Sequence, residues 1–208
     1  MTLEGTKRVG LFGGSFNPVH QGHLIVAEFA TVTFELDLVL FAPVAHPPHR
    51  DGKDLLAIEH RLAMIQLAIA DNDRFQLTLV DVERPGPHYS ADAIQIIEEQ
   101  YPNCQLHFVM GGDSFKDFPQ WDRPEVIAEH CRLAVMRRPS SHPVYPHMHD
   151  DVMPDLHHRV DMIEAPPIGI SATRIREQIR THKSVRYLLP DSVLAYIADN
   201  KLYVDGTS

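Results

Sequence analysis

The stretch Arg8-Val-Gly-Leu-Phe-Gly-Gly-Ser-Phe-Asn-Pro-Val-His-Gln-Gly-His-Leu24 constrains this chain more than any other. Val9, Leu11 and Phe12 form a short apolar run that Gly13-Gly14 ends abruptly, the pattern of a buried strand entering a turn. A helix is expected to begin near Gly22, so that bare glycine amides and the positive end of a helix dipole face the same place. Such a place suits an anion, and a phosphate chain fits it. His20 and His23 flank Gly22, and both imidazoles are expected to project toward the anion.

The 208 residues, 44% apolar, fit one domain with a sizeable core. The fold class expected is α/β, a doubly wound and mainly parallel sheet, in a single domain over 1–208. Its nucleotide-binding core covers about 8–139 and a small helical part about 170–203. The start has no apolar segment of signal-peptide length, and no later stretch approaches the ~18 unbroken apolar residues of a membrane span. The expectation is therefore a cytoplasmic protein with no membrane contact. Cys104 and Cys131 lack a Cys-x-x-Cys spacing and read as reduced structural thiols. A net charge of −9 argues against a nucleic-acid-coating protein. It leaves phosphate binding open, because screening confines surface charge to about 8 Å and a local group of Arg and His decides the matter.

Along the chain, apolar residues at three- and four-residue spacing after Leu24 (Ala27 and Ala30, with Ile25, Phe29 and Val32 beside them) predict a helix. Leu38–Ala42 reads as a buried parallel strand. Pro43–Arg50 follows that strand's C-terminal end, where open α/β sheets bind ligands, and His49 is either a phosphate contact or an ordinary loop residue. Ile58, Leu62, Ile65 and Ile69 trace a helical face; Phe75, Leu77 and Leu79 alternate as a strand. Ser90 is placed to cap a helix. Leu106–Met110 reads as a strand ending in Gly111-Gly112-Asp113, where Asp113 either accepts from ribose hydroxyls or caps the next helix. Trp121 is either core or a flat partner for an aromatic ligand, and Asp122-Arg-Pro-Glu125 reads as a capping box. Arg132–Met136 is a fifth strand with Arg137 and Arg138 at its end, and Val160–Glu164 is a last strand. Ser171 caps a helix, with Thr173 and the guanidinium of Arg176 positioned for phosphate oxygens. Asp191 caps a closing helix. The histidines between Ser140 and His158 match no known metal-site spacing, so that stretch reads as a solvated variable loop ahead of a metal site, and metal content of untagged protein decides between the two.

Gly-Gly-Ser-Phe-Asn-Pro-Val-His-Gln-Gly-His, followed far downstream by Ile-Ser-Ala-Thr-Arg-Ile-Arg, resembles the nicotinate-nucleotide adenylyltransferase branch of the nucleotidyltransferase superfamily. The resemblance runs from about Val9 to Tyr203 and is weakest between Ser140 and Gly169. It implies transfer of AMP from ATP to nicotinate mononucleotide in NAD biosynthesis, with Mg²⁺ carried on the ATP phosphates. It implies His20, His23 and Arg176 as catalytic groups, and Gly13, Gly14, Ser15, Phe16, Gly111, Asp113, Ser171 and Thr173 around ATP. His49, Tyr89, Ser90, Trp121 and Arg138 would serve the second substrate, with Ser90 standing where the family has Thr. Phosphopantetheine adenylyltransferase and a nucleotide sensor without turnover are the alternatives; oligomeric state is left open.

Overall fold

The computed structural model describes residues 8–45, 55–137, 144–166 and 168–204. Among them six strands form one sheet: β1 (Arg8–Gly14), β2 (Leu38–Pro43), β3 (Phe75–Leu77), β4 (Gln105–Gly111), β5 (Arg132–Met136) and β6 (Val160–Ile163). Their order is β3-β2-β1-β4-β5-β6, and every pairing is parallel. Seven α-helices accompany them: α1 (Gln21–Thr33), α2 (Ile58–Ile69), α3 (Ser90–Gln100), α4 (Gly112–Lys116), α5 (Pro124–His130), α6 (Ala172–Arg180) and α7 (Asp191–Asp199). This is the expected doubly wound sheet. No helix among the described residues is long and apolar enough to cross a membrane.

Both faces of the sheet are covered, which is why the strands read as unbroken apolar runs. Val9 and Leu11 of β1, with Leu38, Leu40, Leu106, Phe108, Leu133 and Val135, pack under Ile94, Ile97 and Ile127 of α3 and α5. Phe12, Val39, Phe41, Val109 and Ala134 point the other way, against α1, α2, α6 and α7. The sheet is therefore wound from its middle outward, and the winding reverses between β1 and β4. Ligands of open α/β sheets bind beyond the strand ends at that point.

Several local expectations shift. β3 stops at Leu77, because the Leu79 carbonyl is taken by a turn to the amides of Val82 (2.7 Å) and Glu83 (3.0 Å). In α1, Val32 faces solvent, and Thr31 turns inward with its hydroxyl donating to the Ala27 carbonyl at 2.7 Å. In α2 the buried face is centred on Arg61, Met64, Ile65 and Ala68 rather than on Leu62. Ser90 and Asp191 are first helical residues, not caps, the cap positions falling to Tyr89 and Pro190. The capping box at Asp122 does not form: its carboxylate accepts from Arg123 Nε at 2.6 Å, and Arg123 occupies the cap position in a left-handed conformation. Cys104 and Cys131 are both free thiols, and burial pushes that of Cys131 up to about 12.

Candidate active site

β1 ends at the winding reversal, and the chain turns through Gly14 to Phe16, which has φ 45° and is completely enclosed. A non-glycine residue holds that conformation only when its surroundings fix it. Here the ring packs edge-on against Phe12 (5.5 Å) and His23 (5.0 Å) and lies 5.7 Å from Phe41. A Cβ on Gly14 would stand 3.2 Å from the same ring, so this glycine is needed for close approach.

His20 is the N-cap of α1, and the His20 and His23 rings stack at 3.7 Å with 20° between planes. The backbone N–H of His20 donates to His23 Nδ1 at 3.2 Å. In the neutral ring that bond leaves the proton on Nε2, making Nε2–H a donor. Gly22 permits the stack, because a Cβ there would stand 3.0 Å from the His20 ring.

The distal motif reaches the same turn. Ser171 is the N-cap of α6, and from its second turn Arg176, 8% exposed, donates through Nη1 to the Asn17 carbonyl at 2.8 Å. Its Nη2 lies 3.5 Å from the Thr173 hydroxyl. The Tyr203 hydroxyl donates to the Asn17 side-chain carbonyl at 2.8 Å. Asn17 thus ties the opening turn to the end of the chain, and it holds a guanidinium three residues from His20.

Beside the turn a cleft of about 360 Å³ opens between the ends of β1 and β4. Gly13, Gly14, Tyr89, Ser90, Gly111 and Trp121 all line it, as do His88 and Phe108. Trp121 is half-buried, edge-on to Phe108 at 5.8 Å and 5.6 Å from Phe118. Its two readings therefore merge: it packs on the core and still borders the cleft. Asp113 does not line the cleft; it is exposed in α4, 3.6 Å from Lys116 Nζ. His49 and Arg138 lie outside the described residues.

Residues 11–178 match the family model described as cytidylyltransferase-like. A relative from Thermomicrobium roseum, named "Probable nicotinate-nucleotide adenylyltransferase", is 41% identical, over 95% of this chain and 92% of its own. The nicotinate-nucleotide adenylyltransferase of Bacillus subtilis is 35% identical, over 95% of this chain and 98% of its own. The chain belongs to the nicotinate-nucleotide adenylyltransferase family. For this family member the fold has a solved counterpart in the nicotinic acid mononucleotide adenylyltransferase of Plasmodium falciparum, complexed with APC. That structure has a TM-score of 0.75 at 18% identity, covering 95% of this chain and 97% of its own.

Two arginines that brace the turn and the cleft wall were missed in the sequence. Arg61, 1% exposed, donates from Nη1 to the carbonyls of Ser15 (3.0 Å) and Val44 (2.8 Å). Its Nη2 serves Ala45 (3.0 Å), and its Nε serves Leu56 (3.1 Å). One guanidinium thus clamps the glycine turn, the loop after β2 and the approach to α2, and burial lowers its pKa. Arg84 does the same for the cleft wall: it pairs with Asp81 at 2.7 Å and donates to the carbonyls of Pro87 (2.9 Å) and Tyr89 (3.1 Å). Both sequences read as ordinary polar positions. The only clue was an arginine on the inward stripe of α2.

Proposed function

We propose that the chain transfers AMP from ATP to nicotinate mononucleotide, giving nicotinate adenine dinucleotide and pyrophosphate, in NAD biosynthesis. Near-full-length identity to nicotinate-nucleotide adenylyltransferases carries this reading. The mononucleotide phosphate, with a second pKa of about 6, is already an anion at neutral pH. One of its oxygens attacks the α-phosphorus, the bond from that phosphorus to the bridging oxygen breaks, and pyrophosphate leaves with the electron pair. No general base or covalent intermediate is needed, so positioning and charge do the catalysis.

In this reading His20 and His23 donate to the phosphates as charge builds on the bridging oxygen, and Arg176 offers its fork to the β- and γ-phosphates. Gly13, Gly14, Ser15 and Phe16 form the turn beneath the triphosphate. Gly111, Asp113, Ser171 and Thr173 complete the ATP site. Tyr89, Ser90 and Trp121 receive the pyridine ring, with His49 and Arg138 also serving the mononucleotide. The 8–139 core and the 170–203 helical part act as one unit, and a cytoplasmic location belongs to the same reading.

The groups that the turn around Asn17 gathers are imidazoles, a guanidinium, an amide and hydroxyls. That donor set suits a metal–nucleotide complex better than a protein-held ion. Mg²⁺ would thus ride on the phosphate oxygens and water, neutralising phosphate charge. The reading is tested by pyrophosphate release from ATP and Mg²⁺ with nicotinate mononucleotide, nicotinamide mononucleotide or phosphopantetheine. Turnover with the nicotinate compound is expected, and none with either pyridine nucleotide would overturn it.

A further inference from the structure

Within the histidine-rich stretch after β5, residues 144–158 are folded rather than an open loop. Two short 3-10 turns, Pro146–His149 and Leu156–Arg159, fold back on each other. Asp150 closes the first, and a left-handed residue, Asp155 at φ 66°, opens the second. The pair is anchored from beneath. His149 is buried, with its Nε2 2.7 Å from the Phe115 carbonyl of α4, and the buried Leu156 packs into the core.

That folding brings together three side chains the sequence keeps apart. The Asp150 carboxylate lies 2.9 Å from His147 Nδ1 and 3.0 Å from His157 Nδ1, and the two imidazole centroids are 4.2 Å apart. One ligand atom from each residue falls within 4.8 Å of the others. Zinc binds imidazole nitrogen at about 2.0–2.1 Å and carboxylate oxygen at about 2.0–2.2 Å, so tetrahedral ligands stand about 3.3–3.4 Å from one another. The two imidazole–carboxylate separations reach that value with adjustments of a few tenths of an ångström, and the two imidazole nitrogens, within 4.8 Å of each other, reach it by side-chain rotation.

We propose that His147, Asp150 and His157 form a binding site for a borderline divalent transition metal such as Zn²⁺ or Co²⁺, separate from the nucleotide cleft. Two imidazoles and one carboxylate select such ions over Mg²⁺, which prefers an all-oxygen set. The ion replaces the protons now shared between the imidazoles and the carboxylate. Its fourth position opens to water on the side of His147, the most exposed of the three. Bound there, it ties one 3-10 turn to the other. Because His149 fastens the first turn to α4, the ion stiffens the whole support of that helix.

The test uses tag-free, full-length protein dialysed against a chelator and then held in excess Mg²⁺. Titration with CoCl₂, read by visible d–d absorption, and calorimetry with ZnCl₂ should each saturate at one ion per chain. No thiolate charge-transfer band should accompany the cobalt spectrum. His157→Ala and Asp150→Asn should each weaken binding by at least about tenfold and remove the rise in Tm that Zn²⁺ gives the parent, with pyrophosphate release unchanged. His182→Ala should bind like the parent. Lack of saturable binding by the parent, or one-to-one binding that survives in both variants, would overturn the site and leave only a hydrogen-bonded His–Asp–His cluster. Neither result bears on adenylyl transfer.

Discussion

The Asn17 carbonyl accepts a hydrogen bond from Arg176 Nη1 at 2.8 Å, joining residues 159 positions apart. The turn beneath the proposed triphosphate and the helix that contributes its cation are therefore one structure. Arg176→Lys keeps the charge and loses the planar fork. It is expected to lower kcat/KM for ATP by about 10²–10³, since removing one preorganised donor to the phosphates costs about 2.7–4 kcal/mol. Tyr203→Phe breaks the other bond to Asn17 and removes no proposed phosphate contact. It should cost about 0.5–1.5 kcal/mol of stability with kcat nearly unchanged. Steady-state kinetics and urea melts separate the two.

The His20–His23 stack makes its own demands. His23→Ala should lower kcat by about 10²–10³, because a preorganised donor is lost; the fold should persist with a modestly lower Tm, since the ring's edge-on contact with Phe16 and its bond from the His20 amide go with it. Gly22→Ala should also lower kcat, since its Cβ would stand 3.0 Å from the His20 ring and displace it. Near-full activity in the first variant removes His23 from the mechanism; in the second it removes the stack.

Arg61 is the clamp whose loss should be felt most in stability. A buried carbonyl left without a donor costs about 1–3 kcal/mol, and Arg61→Leu takes the donor from four, that of Ala45 buried and those of Ser15, Val44 and Leu56 partly buried. At least about 3 kcal/mol is expected, which is about 6–12 °C in Tm for a chain of this size. Arg61→Lys, which keeps the charge, should recover part of the Tm. A Tm within 2 °C of the parent in Arg61→Leu, about 1 kcal/mol or less, would show that the loops hold themselves.

Stability should also fall in mild acid because of His107. It is buried against Phe34, the rings 5.3 Å apart, and burial lowers its pKa below the ordinary 6.5. The unfolded chain takes up the proton first as pH drops. The contribution is therefore complete above about 6.5 and is lost as pH falls from there through the folded-state value. His107→Phe should flatten that segment of the curve of Tm against pH; an unchanged slope would assign it to other groups.

Much of this was legible because it is local. A short apolar run is ambiguous by period alone, but its abrupt end at Gly13-Gly14 argues for a buried strand meeting a turn, and repeated strands and helices imply the parallel sheet. What stayed hidden depends on closure in three dimensions. Arg61 stands on the inward stripe of α2, three residues after Ile58 and four before Ile65, but only the convergence of three loops gives it its carbonyl partners. His147, Asp150 and His157 have no metal-site spacing, and two turns bring them together. Cap positions slipped by one at Ser90 and Asp191 because the preceding residue was already extended enough to serve.

The proposed chemistry requires His20, His23 and Arg176 to act on one triphosphate. It is tested most directly by a crystal structure of the protein with a non-hydrolysable ATP analogue and Mg²⁺. His23 Nε2 and the Arg176 guanidinium should stand within hydrogen-bonding distance of oxygens on the same phosphate chain, with His20 beside them. A triphosphate bound elsewhere, or touching the imidazoles while Arg176 stays on Asn17 and out of reach, would contradict it.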